Sequence, residues 1–162
     1  MYALQLVTEF YGSRCAERSG LPLINHIHEG LEILTGLGAS DNAKAAFCLH
    51  PMLQGDAEYV QYRGQLTADE NVNVIEFALA IDYRRAANAY LCKPETDDWA
   101  QPEIAAAVGV LGLELRHMLI ADKQQNQKDF MAHHYGVHTR SGQLVRYFHN
   151  WLDYLGVSEL KA

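Results

Sequence analysis

Leu111, Leu115, Met118 and Asp122 fall at i, i+4, i+7 and i+11, so on a helix they share one stripe. The first three belong in a core, and the fourth carries a carboxylate onto the same face. A lone buried carboxylate is costly unless it is paired, hydrogen-bonded or bound to a metal. Any fold that buries this stripe must therefore bring partners to Asp122. Two upstream histidines, His26 and His50, are the candidates.

Helical periodicity extends over the rest of the chain. A first helix is expected from Tyr2 to about Arg18, ended by Ser19-Gly20-Leu21-Pro22, and a second from about Asn25 to Thr35, ended by Gly36-Leu37-Gly38. Ser40 or Asp41 can cap a third helix, which should end near His50, just before Pro51. A short helix around Glu58 to Gln65 follows. Thr67-Ala68-Asp69-Glu70 looks like the start of the next, a long helix from about Asn71 to Leu91 with Ile75, Leu79, Asp82 and Ala86 inward. Lys93 to Gln101 reads as a polar loop and Pro102 to Ala107 as a short helix. The Asp122 helix is expected from Val108 to His133, and a last helix is capped by Ser141 and buries Leu144, Phe148, Trp151 and Leu155. No strand-like alternation is present. The expected fold is one all-α domain over residues 1–162, a bundle of six to eight helices.

Composition narrows the function classes. A formal net charge of -7 with no Lys/Arg cluster disfavours nucleic acid as a direct partner. Three scattered cysteines without CxxC spacing argue against a zinc ribbon or a disulfide scaffold. No basic n-region with a long apolar run opens the chain, and no apolar stretch approaches a membrane span, so the expectation is a cytoplasmic protein with no membrane contact. The chain has no G-x-S-x-G elbow, P-loop or G-x-G-x-x-G.

His26 opens the second helix and His50 closes the third. If these helices are antiparallel neighbours, each about ten residues or ~15 Å long, the two histidines sit at the same end. Two imidazoles and Asp122 then make a reasonable site for a divalent transition metal. On the long helix, Arg84, Arg85 and Asn88 beside Asp82 read either as a phosphate clamp or as an Asp82–Arg85 i,i+3 pair on a solvated face. Lys123 can reach a phosphate or face solvent. His133, His134 and His138 suit a helix end and turn, with a second metal or anion site as the alternative. The aromatic C-terminal helix, with Tyr147, Phe148, Trp151 and Tyr154, suits a homodimer interface or packing against the first helix.

Three segments also carry a family resemblance. Arg18-Ser19-Gly20-Leu21-Pro22-Leu23-Ile24-Asn25-His26, Ala45-Ala46-Phe47-Cys48-Leu49-His50 and Ala121-Asp122-Lys123-Gln124-Gln125-Asn126 resemble, in order and near-family spacing, the R-x-S-G-x-P-Y-I-x-H, A-A-x-L-H-D and A-D-K/R-x-x-N stretches of RelA/SpoT-type (p)ppGpp hydrolases. These belong to the HD-domain metal-dependent phosphohydrolases. The resemblance covers roughly residues 10–130 and leaves the C-terminal helix, 141–156, unmatched. The chain's size is similar to that of stand-alone HD proteins encoded by bacteriophages. The resemblance implies an HD fold, a divalent metal (Mn²⁺ first) on His26, His50 and Asp122, and a phosphorylated nucleotide met by Arg18 and Asn126, with Lys123 expected beside them.

The chain departs from the family pattern where the chemistry is concentrated. Pro51 stands where the family's HD dyad has its Asp, and Gln54-Gly55 stands where it has an acidic pair. Proline offers no side-chain ligand. Asp82 is the expected stand-in for the missing base, ahead of Asp56 and Glu58. Three readings follow: a modified metal hydrolase, an inactive module that binds a nucleotide or a protein partner, and a structural remnant in which the three side chains form a hydrogen-bonded cluster.

Overall fold

A computed structural model describes residues 1–17, 19–92 and 101–157. Among these the chain is all-α: α1 (Tyr2–Tyr11), α2 (Ile24–Gly36), α3 (Asp41–Leu49), α4 (Pro51–Gln54), α5 (Asp56–Ala68), α6 (Val74–Ala89), α7 (Gln101–Val108), α8 (Leu113–His133) and α9 (Ser141–Tyr154). Among the described residues, β-type pairing is limited to one isolated bridge, Cys15 with Pro22. The expected polar loop from Lys93 lies outside the described residues up to Gln101, which opens α7.

α3 is the central helix. Ala43, Ala45, Ala46, Phe47, Cys48 and Leu49 are all buried, and α1, α2, α4, α6 and α8 pack around it. Its alanines let neighbouring backbones approach closely. The Ser40 side chain caps its start by accepting from the Ala43 N–H at 3.1 Å. At its other end His50 leads directly into α4, where Pro51 takes the first helical position, one that needs no N–H partner. α2 runs back alongside α3 after a turn at Gly38, whose φ of 67° favours glycine. At Gly30 of α2 a Cβ would overlap the buried Phe47 ring.

Several boundaries differ from the sequence reading. α1 stops at Gly12 (φ 53°), well before Arg18. Thr67-Ala68 ends α5 rather than starting a helix, and α6 starts later behind a reciprocal capping box between Asn73 and Glu76. α8 starts at Leu113, because Gly109 (φ 81°) and Gly112 separate it from α7, so Leu111 precedes the helix. On α6 the buried stripe is Ala80, Tyr83, Ala86 and Ala87, leaving Asp82 outside it. α9 packs on α7 and α8 rather than on α1, with Tyr147, Phe148 and Trp151 buried within the chain.

From Met118 to Lys123 every residue of α8 is buried, so this stretch of the helix is enclosed on all sides and takes Asp122 and Lys123 into the interior. No described helix is long and apolar enough to cross a membrane. Gly30→Ala is expected to lower unfolding free energy by about 1–3 kcal/mol, the cost of overpacking a filled core. Urea denaturation checks this, and Gly36→Ala, with open space around a Cβ, serves as the control.

Candidate functional site

Asp122, near the middle of α8, faces the junction where α2 begins and α3 ends. One Asp122 oxygen, Oδ2, lies 2.8 Å from Lys123 Nζ. The other, Oδ1, accepts from Asn126 Nδ2 at 2.8 Å and lies 3.5 Å from His26 Nε2. Burial pushes the carboxyl pKa up, but Lys123, then His26 and His50, outweigh it and bring it down to about 2. Burial likewise opposes the charge on Lys123, and Asp122 more than restores it. The ammonium also lies over the rings of Trp151 and Tyr147, 5.0 and 5.7 Å from their centroids. Lys123 is therefore an interior cation rather than a solvent-facing one.

The two histidines meet as helix geometry predicts, His26 in the first turn of α2 and His50 at the end of α3, with 3.4 Å between their Nε2 atoms. His50 Nδ1 lies 2.6 Å from the Phe47 carbonyl, which only accepts, so Nδ1 carries the proton and Nε2 a lone pair. Burial, then His26, lowers the His50 pKa to about 3, so the ring is neutral. His26 Nδ1 lies 2.5 Å from Gln125 Oε1. The Gln125 amide nitrogen is turned toward Asp129 (2.8 Å) and Glu29 (3.3 Å), which leaves its oxygen to accept from His26. Both imidazoles thus turn Nε2 toward each other and toward Asp122 Oδ1; with both rings neutral these atoms carry lone pairs, and a second proton on His26 would sit on Nε2 and point at Asp122.

This arrangement tests the fit of a metal. With both rings neutral, two lone pairs and a carboxylate oxygen converge, and a cation there, either a metal ion or a second proton on His26, relieves their repulsion. The candidate ligand atoms lie within 4.8 Å of one another, and among the described residues His26, His50 and Asp122 are the group with this property. Hydrogen bonding of each far ring nitrogen to an oxygen acceptor is the second layer that metal-binding histidines use. Tyr83 packs on His50 with centroids 4.7 Å apart. Its buried hydroxyl makes no hydrogen bond of ordinary geometry among the described residues. Its pKa is raised by burial, then by Asp122.

The triad opens into a cleft of about 960 Å³, a volume that suits a small ligand. Pro51, Gln54, Gly55, Glu58, Lys123 and Asn126 line it, with Phe10, Tyr11 and Arg14 of α1 and its following turn on another side. Asn126 is brought to the site as expected. Arg18 lies outside the described residues. Asp82 is not brought there: its side chain is 56% exposed, 3.9 Å from Arg85, as the i,i+3 reading anticipated. The clamp residues have structural partners instead. Arg84 pairs with Asp56, Arg85 donates to the Val108 carbonyl, and Asn88 donates to the Gln54 carbonyl. His134 and His138 line the cleft away from the triad.

Sequence reading missed Gln125 and the buried place of Tyr83, and it ranked Glu58 behind Asp82 as a base. Gln125 is three residues after Asp122 and shares its face, a signal that was available. Tyr83 needed the correct stripe on α6. Glu58 depends on a turn: its carboxylate folds over Gly55, where a Cβ would overlap it. Comparison of the chain with protein-family models, with curated proteins and with solved structures finds no match.

Two outcomes follow for the metal-free protein. The unfolded chain protonates His50 near pH 6.5 and the folded chain only near about 3, so the unfolded state binds more protons in that window. The stability from neutral His50 is complete above about pH 6.5 and is lost as pH falls toward 3. The Asp122 contribution is lost between 3.8 and about 2. Thermal melts should show Tm falling through the first window, a loss on the order of a few kcal/mol, and His50→Gln should flatten that slope. Lys123→Met, which leaves Asp122 charged without its ammonium, should cost about 3–5 kcal/mol in urea unfolding.

Proposed function

We propose that this chain is an HD-type metal-dependent phosphohydrolase acting on a phosphorylated nucleotide such as (p)ppGpp. The observation that carries the reading is the convergence of two Nε2 atoms and a carboxylate oxygen at the floor of a ligand-sized cleft. His26, His50 and Asp122 would hold the ion, Mn²⁺ first among divalent candidates. When bound, such an ion acidifies water and polarises a phosphoryl oxygen.

The chain's own residues supply the remaining functions. Lys123 and Asn126 hold Asp122 in a single orientation. Arg14, exposed beside the cleft with its guanidinium over the Phe10 ring, offers charge to a phosphate, as Arg18 does on the resemblance. The base role expected of Asp82 moves to Glu58. Its carboxylate occupies the space over Gly55, next to the position where the resembled family carries acids, and it lines the cleft. There it can orient a water and take its proton.

A second reading, an inactive module that binds a nucleotide or a protein partner, is favoured by Pro51, which lines the cleft where a fourth ligand would stand. Metal analysis separates the two. Protein prepared with Mn²⁺ should carry about one ion per chain, lost in His50→Ala, and metal-free protein after supplementation sinks the hydrolase. With metal bound, phosphate release from guanine nucleotides should fall about 10²-fold or more in Glu58→Gln at unchanged Mn content. Calorimetric nucleotide binding without turnover would instead establish the module, and Pro51→Asp should then tighten Mn²⁺ binding.

A further inference from the structure

The two histidines reach the same tautomer by different means. His50 is set by its own helix, because the Phe47 carbonyl three residues back can only accept. His26 stands in the first turn of α2, where the carbonyl three residues back, that of Leu23, accepts from the His26 backbone N–H and not from its ring. A neutral imidazole in that position has no local reason to prefer one tautomer. The partner that decides it comes from another helix, 99 residues away in the chain: Gln125 of α8.

A glutamine amide can present either its oxygen or its nitrogen, so by itself it decides nothing. Its direction here is dictated by two acceptors. Asp129, one turn further along α8, takes the amide N–H at 2.8 Å, and Glu29, on the same face of α2 as His26, takes it at 3.3 Å. Glu29 is tied in turn to Lys128 at 2.9 Å. Reversing the amide would set its oxygen against both carboxylates and its N–H₂ against His26 Nδ1. Gln125 is 1% exposed, so water does not take over these contacts.

We propose that Gln125 is a positioning residue: oriented by Asp129 and Glu29, it locks His26 as the Nδ1–H tautomer and so holds the Nε2 lone pair toward His50 and Asp122. The metal role of that lone pair rests on the hydrolase reading above, whereas the lock itself is a property of the metal-free chain. The order of dependence runs from carboxylates to amide to imidazole, and each link crosses between α2 and α8 or spans one turn of α8. Ligand geometry at His26 is therefore coupled to the packing of those two helices.

The test is ¹⁵N imidazole NMR on metal-free protein at mildly alkaline pH, with Mn²⁺ titration calorimetry alongside. In the wild-type chain both His26 and His50 should carry the proton on Nδ1. Gln125→Met, similar in volume, should release His26 to a mixture or to the Nε2–H form, leave His50 unchanged, and weaken Mn²⁺ binding about 10–100-fold. In a Glu29→Gln background, which removes the second carboxylate facing position 125, the double variant Gln125→Glu with Asp129→Asn reverses donor and acceptor while keeping an acceptor on His26, and should restore both the tautomer and the affinity. A merely structural role for Gln125 would not move the His26 tautomer or be rescued this way. Nε2–H His26 in the wild type, or an unchanged tautomer in Gln125→Met, overturns the proposal. If Gln125→Met does not fold, the wild-type spectrum and the double variant decide it, and failure of rescue counts against it. A tautomer switch without Mn²⁺ binding to the wild type upholds the lock and sinks the metal reading.

Discussion

The buried charge of Asp122 is the constraint around which the helices are arranged. A carboxylate inside a stretch of helix that is enclosed on all sides must have its partners delivered from within the protein, and it receives Lys123 and Asn126 from its own helix and His26 from α2. Lys123 is itself buried, so the ammonium is tolerated because Asp122 faces it and because Trp151 and Tyr147 of α9 offer their ring faces. The aromatic residues of the last helix are thus drawn into the support of the site. Removing either charge leaves the other alone in a low dielectric, and this makes the pair a determinant of how α8 and α9 sit together.

The proton positions on the two imidazoles follow from what their far nitrogens can touch. A carbonyl and an oriented amide both accept, so both rings hold a proton on Nδ1 and turn Nε2 inward. The convergence of three candidate ligand atoms within 4.8 Å and the adjoining cleft are together what favours a ligand-binding site over a structural remnant.

Much of this was legible in the chain. Period-3.6 patterning, the Ser40 cap and the Gly36-Leu37-Gly38 turn are local signals, and the helices they imply are present. The meeting of His26 and His50 followed from helix length and direction alone. Misreadings came where local signals compete. On α6 two adjacent stripes are both largely apolar, and the one with Ile75 and Leu79 hid the smaller Ala80, Tyr83 and Ala87 stripe that packs on α3. That single step of rotation placed Asp82 inside when it lies outside. In the α7–α8 region the apolar run continues through Gly109 and Gly112, and periodicity alone does not register the break.

By itself the sequence determined the all-α class, the apolar stripe with its misplaced carboxylate, and the residue types able to answer that carboxylate. These depend on local periodicity and on the cost of burying a charge, both readable along one chain. Only the tertiary structure decided which nitrogen of each histidine faces inward, that Lys123 is interior, that Glu58 rather than Asp82 borders the cleft, and that Gln125 takes its direction from Asp129 and Glu29. Those outcomes depend on contacts between residues far apart in the chain, where a rotation of one residue or the reversal of one amide changes the chemistry without altering the pattern that folds the helix.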